Sequence, residues 1–371
     1  MNDLAWAYLA EFSEPDGYLD FAGIGPVSRR VEEALNSETA AIRDAAEPLG
    51  SRFERTIGEA IAGAARLLGV PPDNVGIVAS TGVGIFHVAF GISGGNVVVP
   101  AGEFPANLYP WFRAQQAGII DEVRSVPVPD GRLVADVLRL YVDSDTSAVA
   151  LSSVDYLTGF RADLEAMREF AEDALLVVDA IQGFGAFPLT LEPADVVIAG
   201  GQKWLRGGMG AAVMAVSSRA MERLEPTLSG WLAVAEPFGF ELLVPQPVHA
   251  SALRYQMSAP PLPAAAGLTA AFEVLDLAGI DAISEAVLAR SAAVEEAGRR
   301  SGAEVLTPWR SDSERSGVVS LRMPGEMPEA TLARLASAGY TASVRRGWLR
   351  LSPHATTPLA TIEYLARVLA G

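Results

Sequence analysis

Two segments place groups capable of covalent and proton chemistry at the ends of apolar runs. In LLVVDAIQGFG, Asp179 closes a run of leucine and valine, and Gln182 follows three positions on. In DVVIAGGQKWLRGGMG, Lys203 comes directly after another such run and lies among glycines. Ligands of open parallel sheets sit outside the carboxyl ends of the strands, so both side chains belong to one crevice. A buried carboxylate there needs a partner, and a desolvated amine there loses proton affinity and gains nucleophilicity. Taken singly, each has a plainer reading: Asp179 as a cap on the next turn, Lys203 as a solvated surface residue.

Together they define a chemistry. An acid at one strand end, with a lysine 24 residues later at the next, is what a pyridoxal ring requires: a Schiff base at its aldehyde and a carboxylate at its ring nitrogen. Breaking a bond at an amino acid's Cα leaves a carbanion, which the ring absorbs best with its nitrogen protonated. A carboxylate about 4 Å away, at an effective dielectric of about 20, favours that proton by roughly 4 kcal/mol, or about three pK units. The lysine can then serve as the base that moves the Cα proton, provided desolvation lowers its pKa.

Other segments supply the remaining parts. STGVGIFHVAF follows the run VGIVA and puts Ser80, Thr81 and Gly82 at a strand-to-helix junction, where backbone N–H groups can cradle a phosphate. PAGEFPANLYPW places Phe104 after the next strand, where an aromatic face could lie on the cofactor ring; plain core packing is the alternative. Arg350 in GWLRLSPH could pair in bidentate fashion with a substrate carboxylate, or form an ordinary salt bridge. His87, His249 and His354 show no metal-ligand spacing, so a metal site has no support. TGVG lacks the spacing and acidic partner of a dinucleotide turn, which argues against a nicotinamide-binding protein.

These residues need a scaffold. Short β-branched runs (VGIVA, NVVVP, SAVAL, LLVVD, DVVIAG, AAVMAV) alternate with helix-length segments such as 105–117 and 163–173, which predicts a mostly parallel sheet covered by helices. Residues 26–69 hold two helical patterns, the second expected to open at Ser51 with Glu54 as a capping box and to close near Gly69. A long alanine-rich helical stretch over 262–300 breaks near Gly279, and strands GVVSLRM and WLRLS with helices near 328–338 and 358–370 make a small α+β unit. The expected division is an N-terminal segment 1–20 packing with the small domain, a large domain over 21–250, and a connector helix with the small domain over 251–371.

Composition narrows the function classes. Half of the 371 residues are hydrophobic, enough for a sizeable core. A formal net charge of −17 opposes nucleic acid and anionic membranes as partners, although a local cationic pocket for a small anion remains compatible with it. The chain has no cysteine, so disulfides, thiolate metal sites and cysteine nucleophiles are excluded. The first residues do not read as a signal peptide and no apolar stretch reaches membrane-spanning length, so the expected location is cytoplasmic.

Taken in order, STG, EFPANLYPW, SSVDYLTGFRADL, VVDAIQ, AGGQKWL, RYQMSAPPLP and LRLSPHATT resemble the class V aminotransferase family of fold-type I enzymes dependent on pyridoxal 5′-phosphate (PLP), over nearly the whole chain. The resemblance implies an α/β large domain with a mostly parallel sheet and a smaller α+β C-terminal domain. It assigns Lys203 to the Schiff base, Asp179 to the ring nitrogen, Gln182 to the phenolic oxygen, and Thr81 and Gly82, with Ser80, to the phosphate. Phe104 takes the stacking position, Tyr156 stands near the ring oxygen, Gln202 is counted with the cofactor-binding residues, and Arg350 matches the carboxylate-binding arginine. Gln202 replaces the histidine of the cysteine desulfurases, and Ser258, Ala259 and Pro260 replace a Gly-Thr-Pro motif, which removes a threonine hydroxyl from the phosphate of a partner subunit. The implied protein is a homodimer acting on a small amino acid, with transamination put first. A β-lyase or C–S lyase of kynureninase or selenocysteine-lyase type is the enzymatic alternative, and a non-catalytic binding protein on the same scaffold is the other. Without cysteine, desulfuration that stores sulfur on an enzyme thiol is excluded.

Overall fold

The computed structural model describes residues 4–45, 47–128, 130–239, 245–258 and 261–371. Its main sheet is built from β1 (Val75–Val78), β2 (Asn96–Pro100), β3 (Glu122–Val126), β4 (Thr146–Ser152), β5 (Leu175–Asp179), β6 (Val196–Gly200) and β7 (Ala212–Val216). The spatial order is β1-β7-β6-β5-β4-β2-β3. From β6 through β5, β4 and β2 to β3 the strands run parallel, while β7 is antiparallel to both β6 and β1.

Alternation along each strand buries both faces. Leu175 and Val177 of β5, with Val196 and Ile198 of β6, pack into one core together with Trp111. Leu176 and Val178, with Val197 and Ala199, pack into the other, together with Phe184 and Trp204. Continuous β-branched runs are therefore what this sheet demands, since no face meets water. The edge strand β3 breaks the pattern, with only Val126 buried, and its sequence gave no strand signal for that reason.

The helix Arg29–Arg43 starts where Ser28 Oγ accepts the Val31 N–H, 3.1 Å away. The next helix, Leu49–Leu68, ends as expected at Gly69, whose φ of 67° suits a residue without Cβ. Its start corrects the sequence reading: Pro48 is the N-cap, and Ser51 and Glu54 lie inside the helix. The added turn is closed by the Arg52 N–H to the Pro48 carbonyl at 3.1 Å and leaves Leu49 exposed, while Phe53, Ile57, Ala60 and Ala64 bury the face that follows.

A second sheet follows the helices Leu262–Asp276 and Ile280–Arg300, which meet at Gly279. It comprises β8 (Glu304–Val305), β9 (Val319–Arg322), β10 (Ser343–Arg345) and β11 (Trp348–Leu351), in the order β10-β11-β9-β8. Leu321, Leu349 and Leu351 pack there against Val294, Leu335 and Leu365, and Leu19 of the N-terminal segment joins the same cluster. Parallel bridges from Tyr18 to Thr341 and from Asp20 to Ser352 fix that segment to this sheet. The consequence is positional, because the second sheet and the N-terminal segment close over the carboxyl edge of the first.

Candidate active site

Asp179 is the last residue of β5 and is buried. The only hydrogen bond to its carboxylate among the described residues is from the Ile181 N–H to Oδ1, 3.0 Å. Burial pushes its carboxyl up to about 6, against the Ile181 amide and the positive charge of Lys203. Lys203 lies three residues past the end of β6, the strand hydrogen-bonded to β5. Burial brings its amine down to about 8, with Asp179 opposing and Arg350 reinforcing. The two charges therefore act on each other in one low-dielectric crevice. Lys203 is also the single lysine of the chain, whose other 27 basic residues are all arginine. A guanidinium cannot be deprotonated near neutrality or condense with an aldehyde as an amine does, so primary-amine chemistry by a side chain is confined to this position. The amino-acid sequence alone carries that signal.

The walls come from neighbouring strand ends. Phe104 follows β2, remains 41% exposed, and presents its ring 5.5 Å from Lys203 Nζ. Tyr156 follows β4 and meets Phe104 edge to face, with ring centroids 5.3 Å apart. The helix Thr81–Gly91 points its N-terminus at the same edge, with Ser80 as N-cap through its hydroxyl to Val83 N–H. Thr81 Oγ1 accepts the Gly200 N–H at 2.9 Å, which ties that helix start to the end of β6. Gln202 folds back over Gly200, so that a Cβ on this glycine would meet Gln202 Oε1 at 2.3 Å and Thr81 Oγ1 at 3.2 Å. Ser80, Thr81, Gly82 and Gln202 are thus gathered at one end of the crevice, and Asp179, Lys203, Phe104 and Tyr156 in its middle.

Arg350 approaches from β11 and is buried. It donates to the Tyr156 carbonyl at 3.0 Å and to Asp20 Oδ1 at 3.2 Å, while Nε has no partner. A buried guanidinium N–H without an acceptor costs on the order of 1–3 kcal/mol.

Gln182 is tied to the protein at both ends of its amide, with one N–H left for the role that the resemblance gave it. Its Nε2 donates to the Ala22 carbonyl at 3.1 Å and its Oε1 accepts the indole N–H of Trp204 at 2.8 Å. The amide is engaged in holding the residue after the lysine against the N-terminal segment, because a buried indole N–H must find an acceptor. His354 stacks on Trp204 with centroids 5.9 Å apart, and Gly25 donates its N–H to the Gln202 carbonyl. Lys203 is thereby fixed from behind. Of the replaced Gly-Thr-Pro motif, Ala259 and Pro260 lie outside the described residues.

The sequence reading also passed over Glu103. Its buried carboxylate accepts the amide N–H of Ser152 at 2.6 Å and the Ser152 hydroxyl, which pins the loop carrying Phe104 to the end of β4. Burial raises this carboxyl to about 7 against the two serine donors, and Asp179 adds to the rise.

An amine, a carboxylate, an aromatic face and a helix N-terminus arranged at the carboxyl edge of a mostly parallel sheet define the scaffold of a fold-type I pyridoxal-phosphate enzyme. The family model for class V aminotransferases matches residues 18–356, and the chain belongs to that family. It is 30% identical to a kynureninase of Deinococcus radiodurans over 91% of this chain and 85% of that one. An uncharacterised aminotransferase of Bacillus subtilis is 26% identical, covering 78% of this chain and 76% of the relative. In three dimensions the chain resembles the cystine C–S lyase C-DES, solved with cysteine persulfide, at a TM-score of 0.87 and 20% identity over 95% and 97% of the two chains. A cysteine desulfurase of Thermococcus onnurineus gives 0.85 at 20% identity, over 95% and 93%. The protein is a PLP-dependent enzyme of class V, and its residues fit that cofactor: one free amine, a facing acid with an oxygen not bonded to the protein, and a helix start beside an open glycine, Gly82, where a Cβ would have no neighbour closer than 3.9 Å.

Proposed function

We propose that this enzyme cleaves a bond at the Cβ of a small amino acid, as a lyase, with Lys203 holding the cofactor and moving the Cα proton. The observation that carries the reading is that the chain's single lysine shares a desolvated crevice with Asp179. When bound, PLP supplies an electron sink for the pair left at Cα. The rest is the work of this chain's own residues.

Asp179 would hold a proton on the ring nitrogen, since a carboxylate already destabilised by burial gains most from a cation beside it. Ser80, Thr81 and Gly82 at the helix start, with Gln202, would bind the phosphate. Phe104, whose ring lies 5.5 Å from Lys203 Nζ, would supply the aromatic face against which the cofactor ring packs. Arg350 orients the substrate carboxylate through its unpaired Nε, and its tie to the Tyr156 carbonyl sets its angle. Lys203, with its amine at about 8, is partly neutral near pH 7 and takes the Cα proton as general base. The leaving group then takes the pair of its bond to Cβ as the pair at Cα forms the Cα–Cβ double bond, and water converts the released enamine to a keto acid and ammonia.

The kynureninase relative supports Cβ cleavage. Transamination, put first from the sequence, stands as the second reading, and the aminotransferase relative supports it. The two share every residue role up to the proton step and differ in product. Incubation with PLP should give a visible absorbance band that is lost in Lys203→Ala. L-Kynurenine and β-substituted alanines are then offered without a keto acid. Turnover under those conditions supports the lyase, and turnover only when a keto acid is added supports the transaminase. A band with neither activity across an amino-acid panel points to a non-catalytic binding protein.

A further inference from the structure

The hairpin that carries Arg350 carries two further cations with no acid of their own. Arg345 pairs with Trp348 across β10 and β11, so Arg346 and Gly347 form the two-residue turn, with φ of 48° and 76°. Positive φ at both positions belongs to a turn that favours asparagine, aspartate or glycine. Arginine at its first position holds the backbone in the left-handed region, and such outliers cluster where the side chain has a task.

Both side chains face the site. The Arg346 guanidinium carbon stands 5.8 Å from the centroid of the Tyr156 ring. Arg345 is close enough to Lys203 for its charge to oppose protonation of that amine. Among the described residues neither arginine has an ion pair, and Arg345 donates only to the carbonyl of its neighbour Val344. The nearby acids hold other hydrogen bonds, although Glu103, Asp130 and Asp155 line one cavity with Arg346. Asp20 Oδ1 accepts from Arg350 and Ser343, Glu103 accepts both donors of Ser152, and Asp155 Oδ1 accepts the N–H groups of Leu157 and Thr158 and the Thr158 hydroxyl. In a chain of net charge −17, a pair of arginines without an ion pair on the hairpin of Arg350 is a local cluster of cations. It suits an anion beyond the carboxylate that Arg350 takes.

We propose that Arg345 and Arg346 form a second anion subsite, and that the substrate is an amino acid bearing a second carboxylate on its side chain. The proposal rests on the reading of Lys203 as the cofactor amine and Arg350 as the partner of the α-carboxylate. Charge-assisted pairs of this kind, from the half-buried Arg345 and the exposed Arg346, separate ligands that differ by one carboxylate.

Succinate and butyrate have the same carbon chain and differ in that one group. Calorimetric titration of the PLP-loaded protein should show succinate binding at least tenfold tighter. The Arg345→Ala/Arg346→Ala double variant should bring the two ligands within threefold of each other. Arg346→Gly relieves the turn, so it should melt no lower than the wild type while losing part of the preference, which separates recognition from folding. Equal binding of the two ligands by the wild type, or a preference that survives in the double variant, overturns the proposal. The visible cofactor band is recorded on every sample, because its absence from the wild type would refute the reading of Lys203 and leave the calorimetric preference to be judged on its own.

Discussion

A single lysine makes its own proton equilibrium directly observable. Burial lowers the Lys203 amine from 10.5 to about 8, which raises the neutral fraction near pH 7 roughly 300-fold and corresponds to about 3 kcal/mol at 1.36 kcal/mol per tenfold change. Because the folded value lies below the unfolded one, the associated stability is complete above pH 10.5 and is lost as pH falls through about 8. The apoprotein therefore carries a destabilising ammonium at neutral pH. Reductive methylation with carbon-13 formaldehyde gives one side-chain signal, identified by its loss in Lys203→Ala. In the apoprotein it should titrate near pH 8. In Asp179→Asn it should titrate lower still, because the Asp179 carboxylate is the foremost charge keeping the proton on the amine. A midpoint near 10.5, or one indifferent to Asp179→Asn, would refute the shared crevice and the general-base role together.

Other consequences are open to measurement. Glu103 is held at about 7 by burial, so its stabilising contribution is present below the ordinary carboxyl range and lost as pH rises through 7. Glu103→Gln should accordingly gain about 3 kcal/mol on the wild type between pH 4 and pH 9 in denaturant titrations, and an equal difference at both pH values would contradict this. At Gly25 a Cβ would lie 2.0 Å from the Lys203 carbonyl oxygen. Gly25→Ala should therefore displace the lysine loop and cut PLP uptake at least tenfold with an unchanged far-ultraviolet dichroism spectrum; unaltered uptake would show the contact to be slack. Gln182→Leu leaves the Trp204 indole N–H unpaired and should cost about 2 kcal/mol. The variant should still form the visible band with PLP, whereas loss of the band with stability intact would return Gln182 to the cofactor itself.

The sheet was legible because its strands are buried on both faces, and sequences such as LLVVD and VVIAG can satisfy that environment in few other ways. β3, exposed along most of its length, carried no such constraint and went unread. The pairing of Asp179 with Lys203 followed from strand ends alone, since adjacent parallel strands bring their carboxyl termini to one edge whatever the loops do. The local start of the helix Leu49–Leu68 did not follow, because a capping box is worth about 1 kcal/mol and one more backbone-bonded turn, from Arg52 to Pro48, extends the helix past it.

What the sequence determined by itself was the class of chemistry: one amine, one acid and one helix start at the edge of a parallel sheet. Which groups flank them was decided only by tertiary contacts between distant segments. Gln182 meets Ala22 and Trp204, Arg350 meets Asp20 and Tyr156, and Glu103 meets Ser152. Hydrogen bonds of that kind have no periodicity and no spacing rule. They depend on how two sheets and an N-terminal segment close on each other, and a side chain's free or engaged state is known only once its neighbours are in place.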